Sequence, residues 1–108
     1  MDQKKAFVID LIDTDEHFQR LLPGPPKTCT MKSGRVYLKP ETSCGLHSTE
    51  DKEEQLVFLQ GKGQAVIEGK ALPVGKGKIV YIPPKTQHDI KNTGSEPLVY
   101  IYCVAQAL

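Results

Sequence analysis

From residue 27 to the C-terminus, short segments rich in β-branched and aromatic residues are separated by Gly or Pro turns, and this pattern constrains the fold most strongly. Segments of this length and composition predict β-strands. Many such strands at regular spacing predict an all-β sandwich or barrel. Ser33 and Gly34 predict a hairpin turn between the first two strands. The predicted strands are residues 27–32, 35–40, 54–60, 64–68, 71–74, 78–82, 87–92 and 98–105.

The N-terminal part of the chain has a different pattern. Residues 6–11 (AFVIDL) predict a strand, because they are apolar and partly β-branched. A capping box formed by Asp13 and Glu16 predicts the start of a short helix. We therefore expect a single domain, in which a strand and a short helix within residues 1–26 pack on a β-barrel of residues 27–108. The apolar face of the predicted helix consists of Phe18, Leu21 and Leu22.

Size and composition limit the classes of function. The chain has 108 residues, the size of one domain with its own core. Its net charge of +1 and its dispersed lysines give no reason to expect a nucleic-acid or anionic-membrane partner. No apolar run approaches the roughly 20 residues that span a bilayer, and the N-terminus does not resemble a signal peptide. Because Cys29, Cys44 and Cys103 are an odd, widely spaced set, we expect free thiols and a cytoplasmic location.

The alternation of side chains along two predicted strands directs a histidine and a carboxylate toward the interior. In residues 87–92, His88 shares one face with an isoleucine. In residues 54–60, Glu54 shares one face with a leucine and a phenylalanine, and the opposite face is also partly apolar. The polar face of the strand at 87–92, which we expect to face solvent, consists of Gln87, Asp89 and Lys91.

An inward histidine and an inward carboxylate need partners, since burying an unpaired polar group is costly. Two histidines and one carboxylate that converge in a barrel form the ligand set of a facial triad for Fe(II), and Mn, Ni or Zn also accept it. His47, Glu54 and His88 are the residues that could converge in this way. The alternative is a His–Glu hydrogen bond in a metal-free core, and the periodicity alone favours neither interpretation.

Two blocks of this sequence resemble the two motifs of the cupin superfamily. The second motif is usually written G(X)5PXG(X)2H(X)3N. Its spacing is matched by Gly77, Pro83, His88 and Asn92, with Lys85 in place of the later glycine.

The first motif is usually written G(X)5HXH(X)3,4E(X)6G. Its spacing is matched by His47, Glu54 and Gly61. Thr49 stands where the motif has its second histidine, and Glu41 stands where it has its leading glycine.

The resemblance implies a double-stranded β-helix, or jelly-roll, barrel of the small single-domain cupin 2 type. It also implies that His47, Glu54 and His88 coordinate one divalent metal (Fe, Mn, Ni or Zn) inside the barrel, with Thr49 in the place of a fourth ligand. Three ligands with open positions for water and substrate can form a working site. Members of the superfamily that lack the full ligand set include some that bind no metal.

Other side chains have both a chemical and a structural interpretation. Cys44 could act as a stray ligand or a nucleophile, but a loop thiol without an activating base is more often inert. Cys103 is most simply a core residue. Tyrosines in the strands could place a hydroxyl in the cavity, although packing of the ring is their commoner role. These tyrosines are Tyr81, Tyr100 and Tyr102.

Two hypotheses for the function follow from the resemblance. The first is a metal-dependent enzyme that carries out oxygenase-, isomerase- or lyase-type chemistry on a small polar organic molecule. The second is a non-catalytic barrel that binds or senses a small, sugar-like molecule, with or without metal. We also expect a homodimer, because residues 54–60 have two partly apolar faces and a small barrel leaves exposed strand edges.

Overall fold

Nine β-strands and no helix are found in residues 3–108, the part of the chain that the structure, a computed structural model, describes. Every strand pair is antiparallel. The strands are β1 (Phe18–Pro23), β2 (Lys32–Leu38), β3 (His47–Ser48), β4 (Lys52–Gln60), β5 (Lys62–Ile67), β6 (Lys70–Gly75), β7 (Ile79–Ile82), β8 (Gln87–Lys91) and β9 (Leu98–Gln106).

The strands form two sheets, as expected of a jelly-roll barrel. The five-stranded sheet has the order β1-β2-β9-β4-β7, and the four-stranded sheet has the order β3-β8-β5-β6. Alternate side chains of both sheets pack into one core. The largest fully buried apolar side chains are Leu38, Leu56, Phe58, Ile82, Ile90 and Leu98. The prediction of an all-β fold is therefore confirmed.

The predicted N-terminal helix is wrong, because Phe18–Pro23 forms strand β1 along the edge of the five-stranded sheet. Its backbone pairs with β2, where Phe18 lies opposite Val36. The Phe18 ring also stacks on Tyr102, with 6.4 Å between ring centroids. A helix of one or two turns is marginal on its own, so pairing with an existing strand prevails over a capping signal.

The predicted strand at residues 6–11 is also wrong, since this segment belongs to no strand or sheet. Its end is fixed by one side chain: the Gln19 amide donates to the Asp10 carbonyl at 2.9 Å and accepts from the Ile12 backbone N–H at 3.0 Å. The division of the chain at residue 26 stays a prediction. Strand β1 lies before that position and pairs within the five-stranded sheet.

The predicted hairpin around Ser33 and Gly34 is wrong as well. Both residues lie inside β2, whereas residues 24–30, which overlap the predicted strand at 27–32, form turns. A Cβ on Gly34 would lie 2.5 Å from a ring carbon of Phe18 and 2.7 Å from a ring carbon of Tyr102. This glycine therefore provides space for two aromatic rings and does not turn the chain.

The remaining predicted strands are confirmed to within a few residues. Strands β4 to β9 correspond to the six predicted segments between residues 54 and 105, and β2 covers the segment at 35–40. The two-residue strand β3 has no predicted counterpart. Residues 3–108 contain no helix with the length and apolarity that a membrane crossing requires.

Candidate metal centre

The pairing of β3 with β8 brings together two histidines that are far apart in sequence. His47 and His88 lie directly opposite each other in this antiparallel pair. Their ring centroids are 4.1 Å apart, and the rings are inclined by 64°. His88 is 1% exposed, whereas His47 lies at the exposed end of the pair. The four-stranded sheet thus presents two imidazoles at one point of the barrel.

The carboxylate comes from the other sheet. Glu54 lies on β4 and is only 8% exposed. Its Oε1 is 3.1 Å from Nε2 of His88. The candidate ligand atoms of His47, Glu54 and His88 all lie within 4.8 Å of one another, a spacing that would allow one ion to contact all three. The predicted convergence of these residues is present in the structure.

Backbone carbonyls fix the protonation pattern of both imidazoles. Nδ1 of His47 lies 2.8 Å from the Gly45 carbonyl, and Nδ1 of His88 lies 3.0 Å from the Thr86 carbonyl. Since a carbonyl only accepts, each Nδ1 carries the proton that it donates. In a neutral ring, Nε2 is then left with a free lone pair. Histidines that ligate metals are held in the same way by a second hydrogen bond.

The Nε2 atom of His88 has no hydrogen-bond partner among the described residues, although it is buried. It is close to Glu54, but the two groups do not have the geometry of a hydrogen bond. Burial lowers the pKa of His88, whereas the Glu54 carboxylate and the Thr86 carbonyl favour the protonated ring more strongly, so that the net direction is upward. A buried lone pair that faces a carboxylate needs either a proton or a cation between them. This donor set fits a divalent metal.

Thr49 is buried in a different hydrogen-bond arrangement. Its hydroxyl donates to the Pro83 carbonyl at 2.7 Å and accepts from the Thr86 backbone N–H at 3.1 Å. These two bonds hold the start of β4 against the loop that leads into β8. Its role as a fourth ligand is not tested by these contacts and stays a prediction.

A cavity of about 140 Å³ surrounds the three candidate ligands. Most of the remaining wall is apolar, and three other lining residues carry a polar group. Tyr100 and Tyr102 come from β9, and Cys44 comes from the loop before β3. The full set of described lining residues is Val36, Cys44, His47, Glu54, Leu56, His88, Ile90, Tyr100 and Tyr102.

The predicted solvent exposure of Asp89 is wrong, because this residue is 8% exposed. The segment before β3 runs along the edge of β8, since the Cys44 backbone N–H donates to the Ile90 carbonyl at 3.0 Å and Ser43 forms a β-bridge with Lys91. The Asp89 carboxylate accepts from the Gly45 backbone N–H at 3.0 Å and from the Cys44 thiol at 3.5 Å. Alternation within one strand carries no signal for a segment that runs along its edge, so the sequence did not indicate this cluster.

Comparison with known proteins agrees with the geometry of the site. A family model described as the cupin domain matches residues 34–104. The chain belongs to the cupin family. Its fold is also that of a solved cupin protein from Bacteroides fragilis, with a TM-score of 0.81 at 19% identity over 97% of this chain and 87% of the other. The recognition of a small single-domain cupin is thereby confirmed.

Several relatives have names that refer to a function. A glucose-6-phosphate isomerase of Pyrococcus abyssi is 40% identical over 60 residues, which are 51% of this cupin and 32% of the isomerase. An oxalate-binding protein of Thermotoga maritima is 33% identical over 67 residues, which are 62% of this cupin and 55% of that protein. The matched stretch thus spans from about a third to just over half of the length of these curated relatives.

Proposed function

We propose that this cupin binds one divalent transition metal (Fe, Mn, Ni or Zn) through His47, Glu54 and His88, and that a small oxyacid binds beside it. The observation that carries the proposal is the buried, unpartnered Nε2 of His88 opposite the Glu54 carboxylate. A metal held by three protein ligands keeps positions open for water or substrate and supplies Lewis acidity. Thr49 is not needed as a ligand in this proposal, since its hydroxyl already has two partners.

The size of the cavity favours a small ligand. The cavity volume of about 140 Å³ lies below the roughly 300–1,000 Å³ of pockets that hold drug-sized ligands. A ligand with the size of oxalate therefore suits this cavity better than a large one. A sugar phosphate would have to extend through the mouth of the cavity. The name of the Thermotoga maritima relative supports an oxyacid.

A metal-dependent enzyme and a non-catalytic barrel would both bind the metal and a small ligand. Our proposal concerns this binding and applies to either kind of protein. Beyond the three candidate ligands, the described cavity wall carries no histidine or carboxylate that could act as a general base. A barrel that binds or senses a sugar-like molecule is the second candidate, and the names of the isomerase relatives support a sugar-like ligand. Turnover assays with the metal-loaded protein distinguish enzyme from sensor.

Calorimetric titration with oxalate tests the binding proposal. Metal-free protein and protein loaded with Mn²⁺ are each titrated with oxalate and, separately, with glucose 6-phosphate. We expect oxalate to bind only the metal-loaded form. Equal oxalate affinity with and without Mn²⁺ would contradict the proposal, and preferential binding of glucose 6-phosphate would favour the second candidate.

We also propose a homodimer that buries the outer face of β7. This strand ends the five-stranded sheet, and Ile79 and Tyr81, both 59% exposed, lie on its outer face. An unpaired edge with exposed apolar side chains is a surface that folded proteins normally cover. The cytoplasmic location expected from the cysteines stays a prediction.

A further inference from the structure

The cavity wall carries polar groups that the metal proposal does not use. Tyr100 lies on β9, the central strand of the five-stranded sheet, while His47 and His88 come from the four-stranded sheet. Beside Tyr100, the thiol of Cys44 also lines the cavity. A ligand at the metal would therefore share the cavity with the side chains of Tyr100 and Cys44.

Packing fixes the position of the Tyr100 ring. The residue is 3% exposed and lies opposite Val36 of β2 and Phe58 of β4. Its ring centroid is 5.1 Å from that of Phe58, with 37° between the ring planes. Strands on both sides hold the backbone, so the phenol is a preorganised group rather than a mobile one.

The Cys44 thiol lines the same cavity, and its presence contributes to the raised pKa of Tyr100. The thiol is itself held in place, because it donates to the Asp89 carboxylate at 3.5 Å and accepts from the Ile90 backbone N–H at 3.3 Å. Sulfur is a weak acceptor. An oxygen of a bound carboxylate is a much stronger one, so the hydroxyl gains by exchanging sulfur for a ligand oxygen.

We propose that Tyr100 is a specificity-determining residue for dicarboxylate ligands. One carboxylate of such a ligand lies at the metal, and the Tyr100 hydroxyl donates a hydrogen bond to the other. This inference rests on the proposed function. Cys44 accepts the same proton when the cavity holds no ligand, and Asp89 positions Cys44. The hydroxyl selects ligands with a second acceptor group, such as oxalate, over monocarboxylates, such as formate.

The protonation state of Tyr100 supports this role. Burial raises the pKa of Tyr100 far above its ordinary value, and the Cys44 thiol and the Glu54 and Asp89 carboxylates raise it further. Below its pKa a phenol remains a neutral donor. It therefore offers a proton to an anionic ligand without adding a negative charge to the site.

Calorimetry on Tyr100→Phe tests the proposal, because this change removes only the hydroxyl. A hydrogen bond to a charged group is worth enough that we expect oxalate affinity for the Mn²⁺-loaded protein to fall about 10-fold or more. The affinities for formate and for Mn²⁺ should stay within about twofold of wild type, since neither requires the hydroxyl. Tyr81→Phe, which removes an exposed hydroxyl bonded to Glu53, is the matched control and should leave all three affinities unchanged.

The outcomes separate the two proposals. Failure of the wild type to bind Mn²⁺ would overturn both the proposed function and this inference. If the wild type binds Mn²⁺ and oxalate but Tyr100→Phe keeps the wild-type preference for oxalate over formate, only the inference is overturned. Loss of Mn²⁺ affinity in Tyr100→Phe would show that Tyr100 supports the structure of the site, and this result would also overturn the inference.

Cys44→Ser provides a second test that leaves Tyr100 in place. A serine hydroxyl is a stronger acceptor than a thiol and should compete with the ligand for the Tyr100 proton. We expect oxalate affinity to fall several-fold while Mn²⁺ affinity is retained. Unchanged or increased oxalate affinity in this variant would contradict the role given to Cys44.

Discussion

The imidazoles of His47 and His88 are each oriented by one backbone carbonyl, and each ring brings a ligand atom to within 4.8 Å of a Glu54 carboxylate oxygen. In both cases the accepting carbonyl belongs to the residue two positions before the histidine, Gly45 for His47 and Thr86 for His88. The sequence motifs and the strand alternation predicted the three candidate ligands. They could not predict the contacts of Asp89 with Cys44 and Gly45, because these come from an irregular segment that runs along the edge of β8.

Thr49 is expected to stabilise the fold rather than the metal. Thr49→Val removes the hydroxyl and leaves the Thr86 N–H unpaired in the interior. We expect the free energy of unfolding of the metal-free protein to fall by about 1–3 kcal/mol in urea denaturation. Metal affinity should change little. Thr49→Ser keeps the hydroxyl and is the control; a loss of metal affinity in Thr49→Val alone would restore its role as a ligand.

Lys85 occupies a position that suits glycine. Its φ of 55° lies in the left-handed region, and its backbone N–H donates to the Glu50 carbonyl at 2.7 Å, which holds it there. The left-handed conformation costs a non-glycine residue about 1–2 kcal/mol. Glycine avoids this cost, but it loses more conformational entropy on folding than lysine does, which offsets part of the gain.

We therefore predict that Lys85→Gly increases the free energy of unfolding by about 0.5–1 kcal/mol. Chemical denaturation monitored by circular dichroism measures the change. Lys70→Gly, at an exposed strand position without positive φ, is the matched control and should destabilise the protein. Destabilisation by both changes would contradict the account of Lys85.

At the scale of elements, the sequence predicted the strands that form the barrel walls and misassigned those at the N-terminal edge. Strands β4 to β9 alternate apolar and polar residues between glycine turns, and both signals are local. Strand β1 forms because its backbone pairs with the edge of β2 and because Phe18 stacks on Tyr102. Such tertiary contacts override the local capping signal.

Gly34 connects these elements and supplies a test. Gly34→Ala would place a methyl group against the rings of Phe18 and Tyr102. We expect a loss of about 1–3 kcal/mol in the free energy of unfolding, from overpacking. Lys32→Ala on the same strand is the control. In the double variant with Phe18→Ala the cost of the methyl group should fall, because only the close contact with Tyr102 remains, and strict additivity of the two changes would contradict the steric explanation.

For the whole molecule, the proposed homodimer predicts a particle of about 24 kDa, twice the 12.0 kDa of the chain, in light scattering. Ile79→Lys introduces a charge on the outer face of β7 and should shift the particle to the mass of one chain at micromolar concentration. Val8→Lys changes a residue that is 91% exposed in the N-terminal segment and should leave the dimer intact. A wild-type mass of 12.0 kDa would contradict the proposal.

The most direct test of the central claim is a calorimetric titration of metal-free protein with Mn²⁺ and with Zn²⁺. We predict one equivalent of metal per chain for the wild type, and a loss of at least about 100-fold in affinity for His88→Ala, since even residues that only support a ligand contribute 10- to 100-fold. His17→Ala changes the exposed third histidine and should bind metal like the wild type. Absence of binding to the wild type, or unchanged affinity in His88→Ala, would contradict a metal centre at His47, Glu54 and His88.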